Sequence, residues 1–241
     1  MKPILFNTEM VMAILENRKT VMRRVMIPHP YTECDHGGVH EFVTDDFGGK
    51  WKYTGFVCRK CGYGVSPPHC NYPVGTSFFR PKYQPGDILY VRETWRVRNV
   101  FGDIARGTRT AEIEFKAGGD TIFVPAFDHT PSYGAWKPSI HMPKKAARLF
   151  LLVNRVSVER LQDIDEQGAK AEGANYCNGK HVGVEEKIRR SAVERFADIW
   201  NKTIKPADIG LYGWDANPWV WVIKYEQCEK PVEINNEDTA R

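Results

Sequence analysis

One stretch of the sequence indicates the fold most clearly: Pro85-Gly86-Asp87-Ile88-Leu89-Tyr90-Val91-Arg92-Glu93-Thr94-Trp95. Proline, glycine and aspartate in succession are typical of a turn, because each favours a tight change of chain direction. The apolar and β-branched run that follows is typical of a strand. The sequence therefore predicts a turn that leads directly into a strand over residues 88–92.

Similar patterns lie on both sides of this stretch. Strands are predicted over residues 20–27, 111–116, 121–124, 147–158 and 219–225, and helices over 9–16, 165–172 and 184–202. The strand over 219–225 is apolar on both faces, so it is expected to lie in the centre of a sheet. Strands with few helices, and without a regular strand–helix alternation, predict an α+β fold built as a small β-barrel with flanking helices.

The composition is that of an ordinary globular protein. Of 241 residues, 42% are hydrophobic and 27% charged, which argues against a disordered or coiled-coil chain. No apolar run approaches the roughly 18–20 residues that cross a bilayer, and no signal peptide is evident, so a cytoplasmic location without membrane contact is expected. The net charge of +4 is too small to identify a partner. Residues 227–241 are predicted to be an acidic, disordered tail.

Residues 31–80 form a loop-rich segment with a cluster of cysteines and histidines. Disulfides are not expected in a reducing compartment, and a segment without a core needs another means of stabilisation. Thiolates spaced as Cys-x-x-Cys are typical zinc ligands, which here means Cys58 and Cys61. Cys34 and His36 complete the favoured set of ligands for a structural zinc ion. His40, His69 and Cys70 are possible replacements, and a hairpin of residues 39–42 and 52–57 is expected to carry the site.

Five segments together resemble one family. Residues 17–24 resemble the G-x-K-x-x-x-x-R signature of ASCH domains, which belong to the PUA-like superfamily, with Asn17 at the glycine position. Asparagine also tolerates a positive φ, so Asn17 is predicted to adopt the left-handed conformation that ends the first helix. Residues 85–95 are similar to a block of phage and prophage ASCH-like proteins, as are residues 136–143, 160–164 and 214–221. The resemblance implies an ASCH/PUA-like barrel formed by residues 1–30 and 81–226, with the zinc-ribbon-like segment of residues 31–80 inserted. It also implies a phage- or prophage-encoded protein in the cytosol of a bacterial host.

The resemblance also implies a site. Small bacterial ASCH hydrolases remove the acetyl group of N4-acetylcytidine with a lysine, a threonine and a glutamate; their lysine corresponds to Lys19 and their glutamate to Glu172. Met22 stands at the threonine position, and a thioether is neither a nucleophile for a carbonyl nor a proton donor. Thr20 adjoins Lys19, but neighbouring residues on a strand point to opposite faces.

Further residues extend this candidate site. Lys19, Arg24 and Arg92 can bind a phosphate or a base carbonyl, and Glu172 can accept a hydrogen bond from an amino group. Trp95 is a candidate to stack on a base, although tryptophan more often packs in a core. An ion-pair network without ligand is the simplest structural interpretation of these charges.

Three functional hypotheses follow. The first is binding of nucleic acid or a modified nucleoside in a basic cleft that contains Lys19, Arg24, Arg92, Trp95 and Glu172. The second is an amidohydrolase for an N4-acylated cytidine, in which Lys19 and Glu172 are catalytic and activate water. The third is a module that binds a host protein through its zinc-containing segment.

Overall fold

The structure is a computed structural model. It describes residues 1–27, 81–102, 108–126, 134–174 and 191–231 in full, together with the backbone of two strands within residues 40–58. The strands are β1 (Lys2–Leu5), β2 (Val21–Val25), β3 (His40–Phe47), β4 (Lys50–Cys58), β5 (Ile88–Arg92), β6 (Trp95–Phe101), β7 (Thr110–Phe115), β8 (Ile122–Pro125), β9 (Phe150–Arg160) and β10 (Trp219–Cys228). The helices are α1 (Thr8–Leu15), α2 (Glu166–Ala171), α3 (Ala192–Thr203) and α4 (Ile209–Tyr212).

The predicted α+β class is confirmed, and the main sheet has five strands in the order β1-β5-β9-β10-β2. β1 runs parallel to β5, and the other neighbours are antiparallel. β10 pairs with both β9 and β2, as expected for a strand that is apolar on both faces.

The predicted closed barrel is not observed. Within the described residues, β1 and β2 are the edges of the main sheet and share no backbone ladder. Instead, the Arg24 guanidinium of β2 donates to the carbonyl of Leu5 in β1 over 3.3 Å. A side chain therefore links the two edges where closure would require a row of backbone hydrogen bonds.

The other strands form a three-stranded antiparallel sheet, β6-β7-β8, and a two-stranded hairpin, β3-β4. The hairpin predicted at residues 39–42 and 52–57 is present with longer strands, in the chain between β2 and β5. Strands β1 and β6 were not among the predicted strands. In β6, the buried residues Trp95 and Val97 alternate with Arg96 and Arg98, a pattern that is itself typical of a half-buried strand.

Helices α1, α2 and α3 begin at side-chain caps. The Asn7 side chain accepts from the backbone N–H of Met10 at the start of α1. Asp165 caps α2, as the predicted boundary implied. Ser191 and Glu194 form a capping box at the start of α3, so the observed helix begins at Ala192; residues 184–190 of the predicted helix lie outside the described residues.

One face of the main sheet is covered by α2 and α3, and we call it the helix-covered face. Cross-strand partners share a face, so the register assigns three rows to it: Val21, Lys224 and Arg155; Arg23, Val222 and Ser157; Val25, Val220 and Glu159. Val21, Val220 and Val222 pack with Phe196 and Trp200 of α3 in one apolar cluster. The opposite face packs against α1.

None of the helices in the described part of the chain is both long enough and apolar enough to span a bilayer.

Candidate functional site: a buried ion-pair network beside a pocket

Lys19 and Glu172 meet although 153 residues separate them. The Lys19 ammonium donates to the Glu172 carboxylate at 2.5 Å, to the Glu172 carbonyl at 2.9 Å and to the Val21 carbonyl at 2.9 Å. The two residues also form a backbone bridge. Only 2% of the Lys19 side chain and 6% of the Glu172 side chain are exposed. The pair is therefore buried and held by both backbone and side-chain contacts.

Two turns bring these residues together. Asn17 has a φ of 54° directly after α1, the left-handed conformation that asparagine tolerates and that the sequence predicted at this position. Gly173 has a φ of 91° directly after Glu172. A Cβ on Gly173 would lie 3.2 Å from the Cβ of Ala13 and 3.5 Å from that of Lys19. Glycine is thus needed both for the turn and for the close approach of α2 to Lys19.

Arg23 extends the pair into a network. Its guanidinium donates to Glu172 at 3.2 Å and to Glu159 at 2.7 Å, and 5% of its side chain is exposed. A Cβ on Gly168 of α2 would lie 3.2 Å from the Arg23 Nη2 atom, so a glycine at this position leaves room for the guanidinium against the surface of the helix. Two cations and two carboxylates therefore alternate along one chain of contacts, which is buried from Lys19 to Arg23 and reaches the partly exposed Glu159.

The network borders a pocket of about 630 Å3 between the helix-covered face and α2. The floor includes residues of all three rows, and Asp163 to Ala171 provide the roof. Thr20, Asn154, Arg155 and Lys224 are exposed at the end of the pocket near the start of β2. A pocket of this size is in the range that holds small-molecule ligands.

Burial affects the titration of two groups at the site. It lowers the pKa of the Lys19 amine below the usual 10.5, and the Glu172 carboxylate opposes this shift. Burial also raises the pKa of the Tyr225 phenol well above the usual 10, and the Glu172 charge adds to this effect. Tyr225 lines the pocket, and its buried hydroxyl has no hydrogen-bond partner in the described part of the structure.

The hydrogen bonds of Lys19 determine what chemistry it can perform. Its three partners are all acceptors, which is the geometry of a protonated amine that donates three hydrogen bonds. A neutral amine would place its lone pair against an oxygen, so the arrangement favours the ammonium form. Lys19 thus positions Glu172 and is poorly placed to take a proton from water.

None of the five predicted ligand-binding residues lines this pocket: Lys19 and Glu172 are buried behind Arg23, and the other three lie elsewhere. Arg24 is exposed on the opposite face of β2, over the ring of Phe6, because adjacent residues on a strand alternate. Arg92 donates to the carbonyl of Ile140. Trp95 is 1% exposed and lies in the core of the three-stranded sheet. The single cleft expected from the sequence is therefore not formed by these residues together.

The two residues considered as nucleophile positions are also separated. Met22 is 1% exposed and packs in the core on the face of the sheet opposite to the pocket. Thr20 lines the pocket and is exposed.

Most of the predicted zinc ligands lie outside the part of the chain that the structure describes. Cys34, His36 and Cys61, like His69 and Cys70, lie outside the described residues. Cys58 is the last residue of β4, and the register sets it opposite His40, the first residue of β3. Within the fully described ranges, no group of three or more histidine, cysteine or acidic side chains is arranged to hold a metal ion.

Arg23, Glu159 and the two exposed cations of the pocket, Arg155 and Lys224, were not among the predicted site residues. The alternation of Val21, Arg23 and Val25 with Met22, Arg24 and Met26 indicated that Arg23 and Arg24 diverge. It did not indicate which arginine faces α2. Glu159 was missed because the register between β9 and β10 is not readable from either strand alone.

No protein-family model matches the chain, and neither a curated protein nor a solved structure matches it.

Proposed function

We propose that the protein binds nucleic acid or a modified nucleoside in the pocket between α2 and the main sheet. The observation that carries this proposal is the network of Lys19, Glu172, Arg23 and Glu159, in which Arg23 and Glu159 line the pocket and the buried Lys19–Glu172 pair supports Arg23. Nucleobase edges present donors and acceptors side by side. A guanidinium that donates to a base carbonyl, next to a carboxylate that accepts from an amino group, complements such an edge.

Burial strengthens this recognition. Arg23 is almost completely buried, so its hydrogen bonds face little competition from water. The contacts to Glu159 and Glu172 fix the plane of the guanidinium before a ligand arrives, which lowers the entropic cost of binding. Val21 and Val222 provide apolar surface for the face of a base.

The same contacts favour binding over hydrolysis of an acylated cytidine. Lys19 is fully engaged as a donor, and Met22 is packed in the core. An ASCH/PUA-like relationship remains part of the proposal, and it is supported by the motifs and by the contact between Lys19 and Glu172.

The test compares two adjacent arginines. Calorimetric titration would measure the affinity for N4-acetylcytidine, cytidine and a short single-stranded RNA. Arg23→Met should weaken the affinity about tenfold or more, because it removes charge-assisted hydrogen bonds from the pocket. Arg24→Met removes the same charge from the opposite face and should change the affinity less than about twofold.

A second variant tests whether weaker binding is merely the result of a loss of folding. Glu159→Gln keeps the size of the side chain while it removes one charge next to Arg23. It should weaken binding while the thermal unfolding curve stays cooperative. Equal losses in Arg23→Met and Arg24→Met, or no binding of any of the three ligands by the wild type, would overturn the proposal.

A structural zinc ion is a separate proposal. It rests on the ligand pattern of Cys34, His36, Cys58 and Cys61, with His40 as the replacement that lies opposite Cys58 in the hairpin. Elemental analysis of the purified protein should give one zinc per chain, and Cys58→Ser should lower that ratio. A ratio far below one in the wild type would refute the site. The hypothesis of a host-protein module depends on the same segment and stays a prediction.

A further inference from the structure

The charges that line the pocket differ in whether another group already balances them. The three acidic residues are engaged. Glu159 is paired with Arg23, Asp163 accepts from the backbone of Arg160, and Asp165 accepts from the backbone of Gly168. Each carboxylate therefore already has a hydrogen-bond donor from the protein.

Two cations of the pocket are not balanced in this way. Arg155 and Lys224 are directly opposite each other in the antiparallel pairing of β9 with β10. Both line the pocket and both are exposed. Neither forms an ion pair with any residue that the structure describes. Like charges directly opposite each other destabilise a sheet, so this pairing lowers the stability of the protein in the absence of an anion.

The position of the two cations agrees with one kind of ligand. Arg155 and Lys224 lie one row beyond Arg23, and two residues along a strand span about 7 Å. This is close to the separation between a nucleobase and its own 5′ phosphate. A base at Arg23 and Glu159 would therefore place its phosphate near the two exposed cations.

We infer that Arg155 and Lys224 form a phosphate subsite, so that the ligand is a nucleotide and not an uncharged nucleoside. This inference rests on the proposed function and names its substrate class. The subsite binds the phosphate at the exposed end of the pocket, while the buried network contacts the base.

The experiment compares ligands that differ only in the phosphate. Calorimetric titration at low salt would measure the affinities for cytidine, uridine, adenosine and guanosine, and for the 5′-monophosphate of each. At least one monophosphate should bind the wild type about fivefold to tenfold more tightly than its nucleoside, as expected for two partly exposed ion pairs. In the double variant Arg155→Gln/Lys224→Gln this difference should disappear, while the affinity for the nucleoside stays the same.

A matched control tests whether net charge alone has this effect. Lys202→Gln/Lys205→Gln removes two charges from exposed positions outside the pocket. It should leave the preference for the monophosphate within about twofold of the wild type.

A short RNA without terminal phosphate distinguishes the two sources of phosphate. If internal phosphates occupy the subsite, the double variant should weaken RNA binding. It should also reduce the slope of log affinity against log salt concentration by about 0.7 for each ion pair with a phosphate that the substitutions remove. Weaker binding of either the monophosphate or the RNA by the double variant supports the subsite, and shows whether a terminal or an internal phosphate occupies it.

The possible failures are distinct. If nucleosides bind, and the double variant weakens neither the preference for the monophosphate nor the binding of RNA, the phosphate subsite is wrong and the proposed function stands. If no nucleoside, monophosphate or RNA binds, the proposed function fails and the subsite fails with it.

Discussion

Lys19–Glu172 and Arg148–Glu93 are both buried ion pairs, but they lie in different surroundings. Arg148 donates two hydrogen bonds to Glu93, at 2.9 and 3.0 Å, and its guanidinium lies 4.0 Å from the centre of the Phe115 ring. This pair is complete by itself, and neither residue lines the pocket. Lys19–Glu172 continues through Arg23 to Glu159 and reaches a cavity.

The comparison shows that a buried charge alone does not indicate a binding site. Both pairs require compensation for the desolvation of their charges, and both obtain it from close contacts. Only the Lys19 network places further hydrogen-bonding groups at the wall of a pocket. The network can contribute to ligand binding because it extends through Arg23 to Glu159 at the pocket, and not because it is buried.

The largest expected effects are on the free energy of unfolding. Substitutions in the two ion pairs should differ in whether they also weaken ligand binding. Arg148→Met and Lys19→Met should each lower the free energy of unfolding by about 3–5 kcal/mol, because each leaves a buried carboxylate without its main partner. Only Lys19→Met should also weaken the binding of the nucleoside or RNA, since Glu172 then no longer holds Arg23 in place. Urea denaturation and calorimetric titration measure the two effects.

Milder variants serve if the methionine substitutions prevent folding. Glu172→Gln and Glu93→Gln keep the side-chain size and remove one charge from each pair. Weaker binding in Glu93→Gln to the same extent as in Glu172→Gln would show that the two pairs do not differ in function.

A smaller effect is expected from the close approach at Gly173. Gly173→Ala requires a left-handed alanine and also brings a Cβ against Ala13, so the free energy of unfolding should fall by about 2 kcal/mol. Gly86 is the matched control, because its φ of 86° is similar and a Cβ there would have nothing within 4 Å. Gly86→Ala should cost about 1 kcal/mol. Equal costs in urea denaturation would show that the approach of α2 to Lys19 is not tight.

The smallest effect concerns an exposed carboxylate that joins α2 to α3. Backbone N–H groups of Ala192 and Val193 donate to Glu166 at 3.0 and 3.4 Å, and the bond from Ala192 is the main cause that lowers the pKa of this carboxyl below 4.5. A lowered pKa stabilises the folded state above pH 4.5, and this contribution is lost as the pH falls through the folded value. The stability advantage of the wild type over Glu166→Gln should therefore shrink between pH 6 and pH 3. An advantage that is constant with pH would contradict this.

Some of these features could be predicted from the sequence and others could not. The α+β class, the central position of β10 and the left-handed Asn17 follow from local patterns of polarity and backbone preference. The contact between Lys19 and Glu172 followed only from a resemblance, since no local pattern connects residues so far apart. The grouping of Arg24, Arg92 and Trp95 failed because it depended on which face of each strand meets α2, and packing decides that.

The central claim is that the ligand lies between α2 and the helix-covered face, in contact with Arg23. A crystal structure of the protein soaked with N4-acetylcytidine and with cytidine 5′-monophosphate tests this most directly. The account predicts ligand density in the pocket, with the base within hydrogen-bond distance of Arg23 or Glu159 and the phosphate near Arg155 and Lys224. Ligand density on the opposite face of β2, beside Arg24, or an empty pocket in crystals of a protein that binds these ligands in solution, would contradict it.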